Sequence, residues 1–160
     1  YCILRYFNIA GSSSSGKIGL INESDHLFKN FSREIIKKRP ILKIYGDNYD
    51  TKDGSCIRDF IHVSDIAEIH YKVLEKINNL NNSKILNCGY NKGISVLEVA
   101  KVFKSQSSKK VQILVSKRRK GDLVKIIASN KKLKKFIKWK PKFNNLNTIV
   151  KSCISWEKRQ

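Results

Sequence analysis

The chain has 160 residues, 41% of them hydrophobic, which is enough for a packed core about one domain in size rather than a disordered tail. Its 33 Lys and Arg against 13 Asp and Glu give a formal charge of +20, yet most lysines stand singly between apolar and Asn residues, as on solvated faces, and no helix-turn-helix, RNP or zinc-finger signature is there to turn the charge on a nucleic acid. No apolar run approaches the roughly 20 residues that span a bilayer, and Cys2, Cys56, Cys88 and Cys153 show neither C-x-x-C nor His at ligand spacing, so a soluble, cytoplasmic protein with free thiols is expected.

Residues 2–7 read as a buried strand, and a loop through Gly11, Ser12, Ser15, Gly16 and Gly19 follows it. Leu27, Phe28, Phe31, Ile35 and Ile36 recur at helical spacing, with Ser24 or Asp25 as the cap and Pro40 beyond the end. Residues 42–45 form a short predicted strand, and 46–54 carry turn chemistry. Ile66, Ile69, Val73 and Ile77 line a second helix started by Ser64-Asp65, and residues 84–88 are the next strand. Ser95-Val96-Leu97-Glu98 has the capping-box pattern, so a third helix is expected to about residue 106. A strand over 111–115, a short helix over 129–136 and a last helix from 147 to about 156 complete the series. Strands alternating with helices predict an α/β fold, and neither an internal repeat nor a linker divides the chain.

Gly11, Gly16 and Lys17 satisfy G-x-x-x-x-G-K directly after a predicted strand, where a nucleotide-triphosphate loop belongs. The next position, which must offer magnesium a hydroxyl, is Ile18, and the segment beyond it is a poor helix start. The stretch reads as a serine-rich surface loop.

Residues 46–67 run Gly46-Asp47-Asn48-Tyr49-Asp50-Thr51-Lys52-Asp53-Gly54-Ser55-Cys56-Ile57-Arg58-Asp59-Phe60-Ile61-His62-Val63-Ser64-Asp65-Ile66-Ala67. This stretch resembles the G-N-D-Y-x-T-x-D-G-T-x-V-R-D-Y-I-H-V-x-D-L-A motif of the UDP-glucose 4-epimerases. Three more segments fall in that family's order: Leu4-Arg5-Tyr6-Phe7-Asn8, Leu86-Asn87-Cys88-Gly89 through Glu98, and Arg118-Arg119-Lys120-Gly121-Asp122. The resemblance implies the C-terminal portion of an extended short-chain dehydrogenase. Residues 1–160 would be one incomplete unit for substrate binding, with residues 1–11 and parts of 56–90 contributing to the edge of the Rossmann domain. In the family NAD takes hydride from the sugar C4 while a tyrosine beside a lysine removes the hydroxyl proton. Neither G-x-x-G-x-x-G nor Y-x-x-x-K occurs here, and the chain contains no Met, so the NAD-binding and catalytic part is expected N-terminal to it and the chain alone is expected to be inactive.

By the same resemblance Asn8, Arg58 and Arg119 would contact the diphosphate, Asp122 the uridine ribose, and Lys43, Ile44 and Tyr45 the uracil, with Tyr45 stacking on the base. The residue types suit that ligand, since guanidinium forks bind a diphosphate, an apolar shelf a base and a carboxylate a ribose hydroxyl. His26 and Leu27 fall on the uridine side where several members carry Asn-Leu, and Lys29 stands in place of the usual proline. Phe7 would lie near the nicotinamide, though core packing explains it as readily. Ile126, four residues past Asp122, would stand beside the hexose 2-substituent, a short buried strand being the alternative. A homodimer is implied for the full-length enzyme. Read without the motif, Arg58 beside Asp59 is a structural ion pair, and Arg119 and Tyr45 are a solvated charge and a core aromatic. Another NAD-dependent nucleotide-sugar epimerase or dehydratase, or a basic nucleic-acid-binding module, remain the competing readings.

Overall fold

The computed structural model describes residues 1–21 and 26–160. The chain enters through β1 (Cys2–Tyr6) and, after a break at Phe7, continues as β2 (Asn8–Ala10). The break lets one stretch of chain serve two partners. β1 runs parallel to β6 (Lys84–Cys88), while β2 runs parallel to β5 (Phe60–His62) with Asn8 opposite Phe60. Between β5 and β6 lies α2 (Val63–Ile77), the crossover that parallel strands require.

A second parallel pair joins β3 (Ile41–Tyr45) to β8 (Gln112–Ser116). In β3 the alternation is plain: Leu42 and Ile44 are buried, whereas Ile41 and Lys43 are exposed, which leaves Lys43 and Tyr45 on the outer face. A three-stranded ribbon is built from very short pieces. In it β4 (Ile57–Arg58) lies between β7 (Ile94–Ser95), antiparallel, and β9 (Lys125–Ile126), parallel.

The helices α1 (Leu27–Ile36), α3 (Val96–Ser105) and α5 (Leu146–Glu157) enclose one core with β3, centred on Phe28, Phe31 and Phe103 in edge-to-face contact at 5.5–5.6 Å. The second core lies between α2, α4 (Lys131–Ile137) and β6, around Ile61, Ile69, Leu86, Leu133 and Trp139. Tyr90 packs against both. On α4 only Leu133 and Ile137 are buried, and Lys131, Lys132, Lys134 and Lys135 face solvent, an ordinary solvated face.

Ser24 and Asp25 lie outside the described residues, and the residue preceding α1 is His26. The cap of α2 is His62, whose Nδ1 accepts the Ser64 N–H at 3.1 Å, because Asp65 is committed elsewhere. Its carboxylate is fully buried and accepts the N–H groups of Lys142 and Phe143, each at 3.0 Å, and the Tyr90 hydroxyl. α3 starts as predicted, Ser95 Oγ accepting the Glu98 N–H at 3.0 Å. The Gly11–Lys17 stretch is a turn closed by Gly16 N–H to Ser13 C=O at 2.9 Å, with no helix directly after it. Ser12 tethers it to α5, where its Oγ donates to the Ser152 carbonyl at 2.9 Å.

Candidate functional site

Five distant segments converge on one cleft of about 260 Å3. Its walls include Asn8 from β2, His26 and Leu27 at the start of α1, Lys43, Ile44 and Tyr45 from β3, Arg58 from β4, and Arg119 and Asp122 from the loop between β8 and β9. The fold brings these together for local reasons. Lys43 and Tyr45 share the outward face of a strand whose other face is core, and Arg58 sits on the central strand of the ribbon.

Arg58 is anchored by other groups of the chain. Its Nη1 donates to the carbonyls of Leu123 at 2.8 Å and Ile57 at 2.9 Å, and its Nη2 lies 3.4 Å from Asp122 Oδ1. Its ion pair is therefore with Asp122, not with the neighbouring Asp59. The Asp59 carboxylate turns inward and accepts the N–H groups of Tyr90 and Asn91 at 2.9 Å and of Ala128 at 3.1 Å. Burial pushes this carboxyl above the usual range, while those backbone donors pull it down. Gly89 is small for this reason: a Cβ there would come 2.8 Å from Asp59 Oδ2 and 2.5 Å from the Ala128 methyl.

The Arg119 guanidinium lies 4.0 Å above the Tyr45 ring, and Lys43 Nζ is 5.3 Å from the same ring. Asn8 is oriented by its amide, which donates to the Asp59 carbonyl at 3.2 Å. His26 is half-buried and desolvation lowers its pKa, the Ile9 carbonyl opposing the shift, so a neutral imidazole faces the cleft. Three cations and one carboxylate around an aromatic ring form an anion-binding surface with a flat apolar floor.

Two residues singled out from the sequence stand outside this wall. Ile126 is half-buried in β9 opposite Arg58, and Phe7 is half-buried at the β1–β2 break with its N–H donating to the Cys88 carbonyl at 3.2 Å. The cleft also takes Asn30, Phe31, Cys56, Phe60 and Val96, which the sequence did not mark. Asn30 lies one helical turn past His26, and that spacing is the signal that could have found it. The cysteines are free, three of them buried, and burial pushes Cys88 and Cys153 up to about 12. Among the described residues no group of three metal-ligating side chains occurs and no helix is long and apolar enough to cross a membrane.

The architecture is that of the solved UDP-glucose 4-epimerases. The enzyme from Bifidobacterium longum, crystallised with NAD+ and UDP, superposes with a TM-score of 0.87 at 30% identity over 99% of this chain and 47% of its own. The UDP-Glc/GlcNAc 4-epimerase of Campylobacter jejuni gives 0.80 at 39% identity over 99% and 48%. A sequence profile of the NAD dependent epimerase/dehydratase family matches residues 1–89, and the chain belongs to that family. The UDP-glucose 4-epimerase of Azospirillum brasilense is 40% identical over 157 residues, 98% of this chain and 45% of the relative. The chain thus spans about half the length of the relatives it matches.

Proposed function

We propose that this chain is the UDP-gripping half of a UDP-glucose 4-epimerase. The observation that carries the reading is the convergence of Asn8, Arg58 and Arg119 with Tyr45 and Asp122 on one cleft. Arg58 and Arg119 would clamp the diphosphate, Asp122 would accept from the ribose, and Lys43, Ile44 and Tyr45 would carry the uracil. C4 epimerisation needs the nucleotide fixed while the sugar turns, and a preset Arg58 supplies that fixed end. Residues 1–11 and parts of 56–90 would form the Rossmann edge, and among the described residues β1 pairs with β6 alone.

NAD does not fit the residues of this chain by themselves. The glycine-lysine loop is a turn tied to α5 instead of a helix N-terminus, and Phe7 alone cannot hold a dinucleotide. No hydride step is assigned to these residues, and the purified chain is expected to convert no UDP-glucose to UDP-galactose in a coupled assay. The homodimer and the cytoplasmic setting belong to the same reading, the free thiols suiting a reducing compartment.

Calorimetry of the chain with UDP tests the proposal. Saturable binding that Arg58→Ala weakens supports it; absence of UDP binding refutes it. RNA or DNA binding at least as tight, with a steep salt dependence, would favour a basic nucleic-acid module instead.

A further inference from the structure

We propose that Tyr49, with Arg118 stacked on it, is a positioning residue that presents the Asp122 carboxylate to the ligand. The proposal rests on the reading in which Asp122 receives the ribose. β3 ends at Tyr45 and the chain reverses at Gly46, whose φ is +84°. A Cβ there would lie 2.5 Å from the Tyr49 ring, so the turn closes tightly enough for Tyr49 to fold back beneath it. The Tyr49 N–H, donating to the Gly54 carbonyl at 2.8 Å, fixes the reversal.

The ring that results is 3% exposed, yet its hydroxyl reaches out to Asp122 Oδ2 at 3.4 Å. Arg58 Nη2 stands at the same distance from the other oxygen, Oδ1. Each oxygen of the carboxylate thus has its own donor, and an ionised carboxylate has about four acceptor sites, so capacity remains for ligand hydroxyls. Burial raises the Tyr49 pKa, which keeps the hydroxyl protonated and therefore a donor.

Arg118 completes the device. Its guanidinium lies 4.0 Å from the Tyr49 ring centroid, and its Nη2 donates to the Asp122 carbonyl at 3.2 Å. The adjacent arginines divide their work, Arg118 on Tyr49 and Arg119 on Tyr45. Asp122 lies in an irregular basic loop between β8 and β9, with Gly121 at φ +84°, so the tethers from Tyr49, Arg58 and Arg118 supply the order that no strand or helix does.

The test titrates the parent chain, Tyr49→Phe, Arg118→Met and Asp122→Asn with UDP and with its 2′,3′-dideoxy analogue. The parent should prefer UDP, and Asp122→Asn should erase that preference. Tyr49→Phe keeps the ring and should reduce the preference about 3–10-fold while leaving affinity for the dideoxy analogue unchanged, the size expected for losing one long hydrogen bond from an uncharged donor. Arg118→Met should reduce it in the same direction, and it stands in if Tyr49→Phe fails to fold. Full preference in the folded Tyr49→Phe and Arg118→Met proteins, or equal losses for both ligands, overturns the positioning role. A parent that does not distinguish the two ligands removes the ribose role of Asp122, and with it this proposal, while leaving the diphosphate clamp standing.

Discussion

Asp59 offers the sharpest test of how the cleft is held together. Its carboxylate joins three segments: the link between β4 and β5, the turn at 89–91 and the chain just past β9. Asp59→Ala strips the acceptor from three backbone N–H groups. Asn91 is exposed and can turn to water, so Tyr90 and Ala128 set the magnitude, Ala128 being 1% exposed. Two orphaned donors at roughly 1–3 kcal/mol each, less the relieved cost of holding a buried carboxylate, give about 2–4 kcal/mol. For a chain of this size that is a fall in Tm of roughly 5–15 °C. Asp59→Asn should fall between, since one amide oxygen can replace Oδ2 but not both oxygens. Urea unfolding with constant m gives the measurement. Both variants within about 0.5 kcal/mol of the parent would refute the argument that this carboxylate organises the ribbon.

Arg58→Ala and Arg119→Ala should each weaken UDP binding by about 1.5–3 kcal/mol through lost charge-assisted hydrogen bonds, and unchanged dissociation constants in calorimetry would remove the diphosphate role. His26 and His62 are held below 6.5 chiefly by burial, with Asp65 opposing the shift at His62. The folded state thus binds fewer protons than the unfolded one, and stability is lost as pH falls from 6.5 through the depressed folded values. Urea midpoints should drop between pH 7 and 5.5, less steeply in His62→Gln; a flat parent profile contradicts this. Ile126 is expected to favour UDP-glucose and UDP-galactose over the N-acetylated pair, being β-branched and unable to swing aside. In an enzyme joining this chain to the N-terminal half of the Azospirillum brasilense relative, Ile126→Ala should shift the specificity ratio, and equal ratios would show that the side chain is not the gate.

Local patterning alone determined the longer elements of this protein. The apolar spacing from Leu27 to Ile36, the Leu42/Ile44 alternation and the Ser95 cap act over a few residues, so they survive in one dimension and reappear as α1, β3 and α3. The motif around Arg58 and the Arg119–Asp122 segment likewise marked residues that now face one cleft. What only the tertiary structure decided is how those residues are held. β4, β7 and β9 have two residues each, too few for any period to register, and they exist because they pair with one another. The partner of Arg58 is Asp122, 64 positions away, although Asp59 is its neighbour in the chain. Asp59, in the one-residue break between β4 and β5, turns to the interior and its backbone donors, while Arg58 at the end of β4 faces the cleft. Tyr49 and Arg118 follow the same logic: within their motif segments neither carries a role of its own, and that role arises only where a turn at Gly46 folds one against the other.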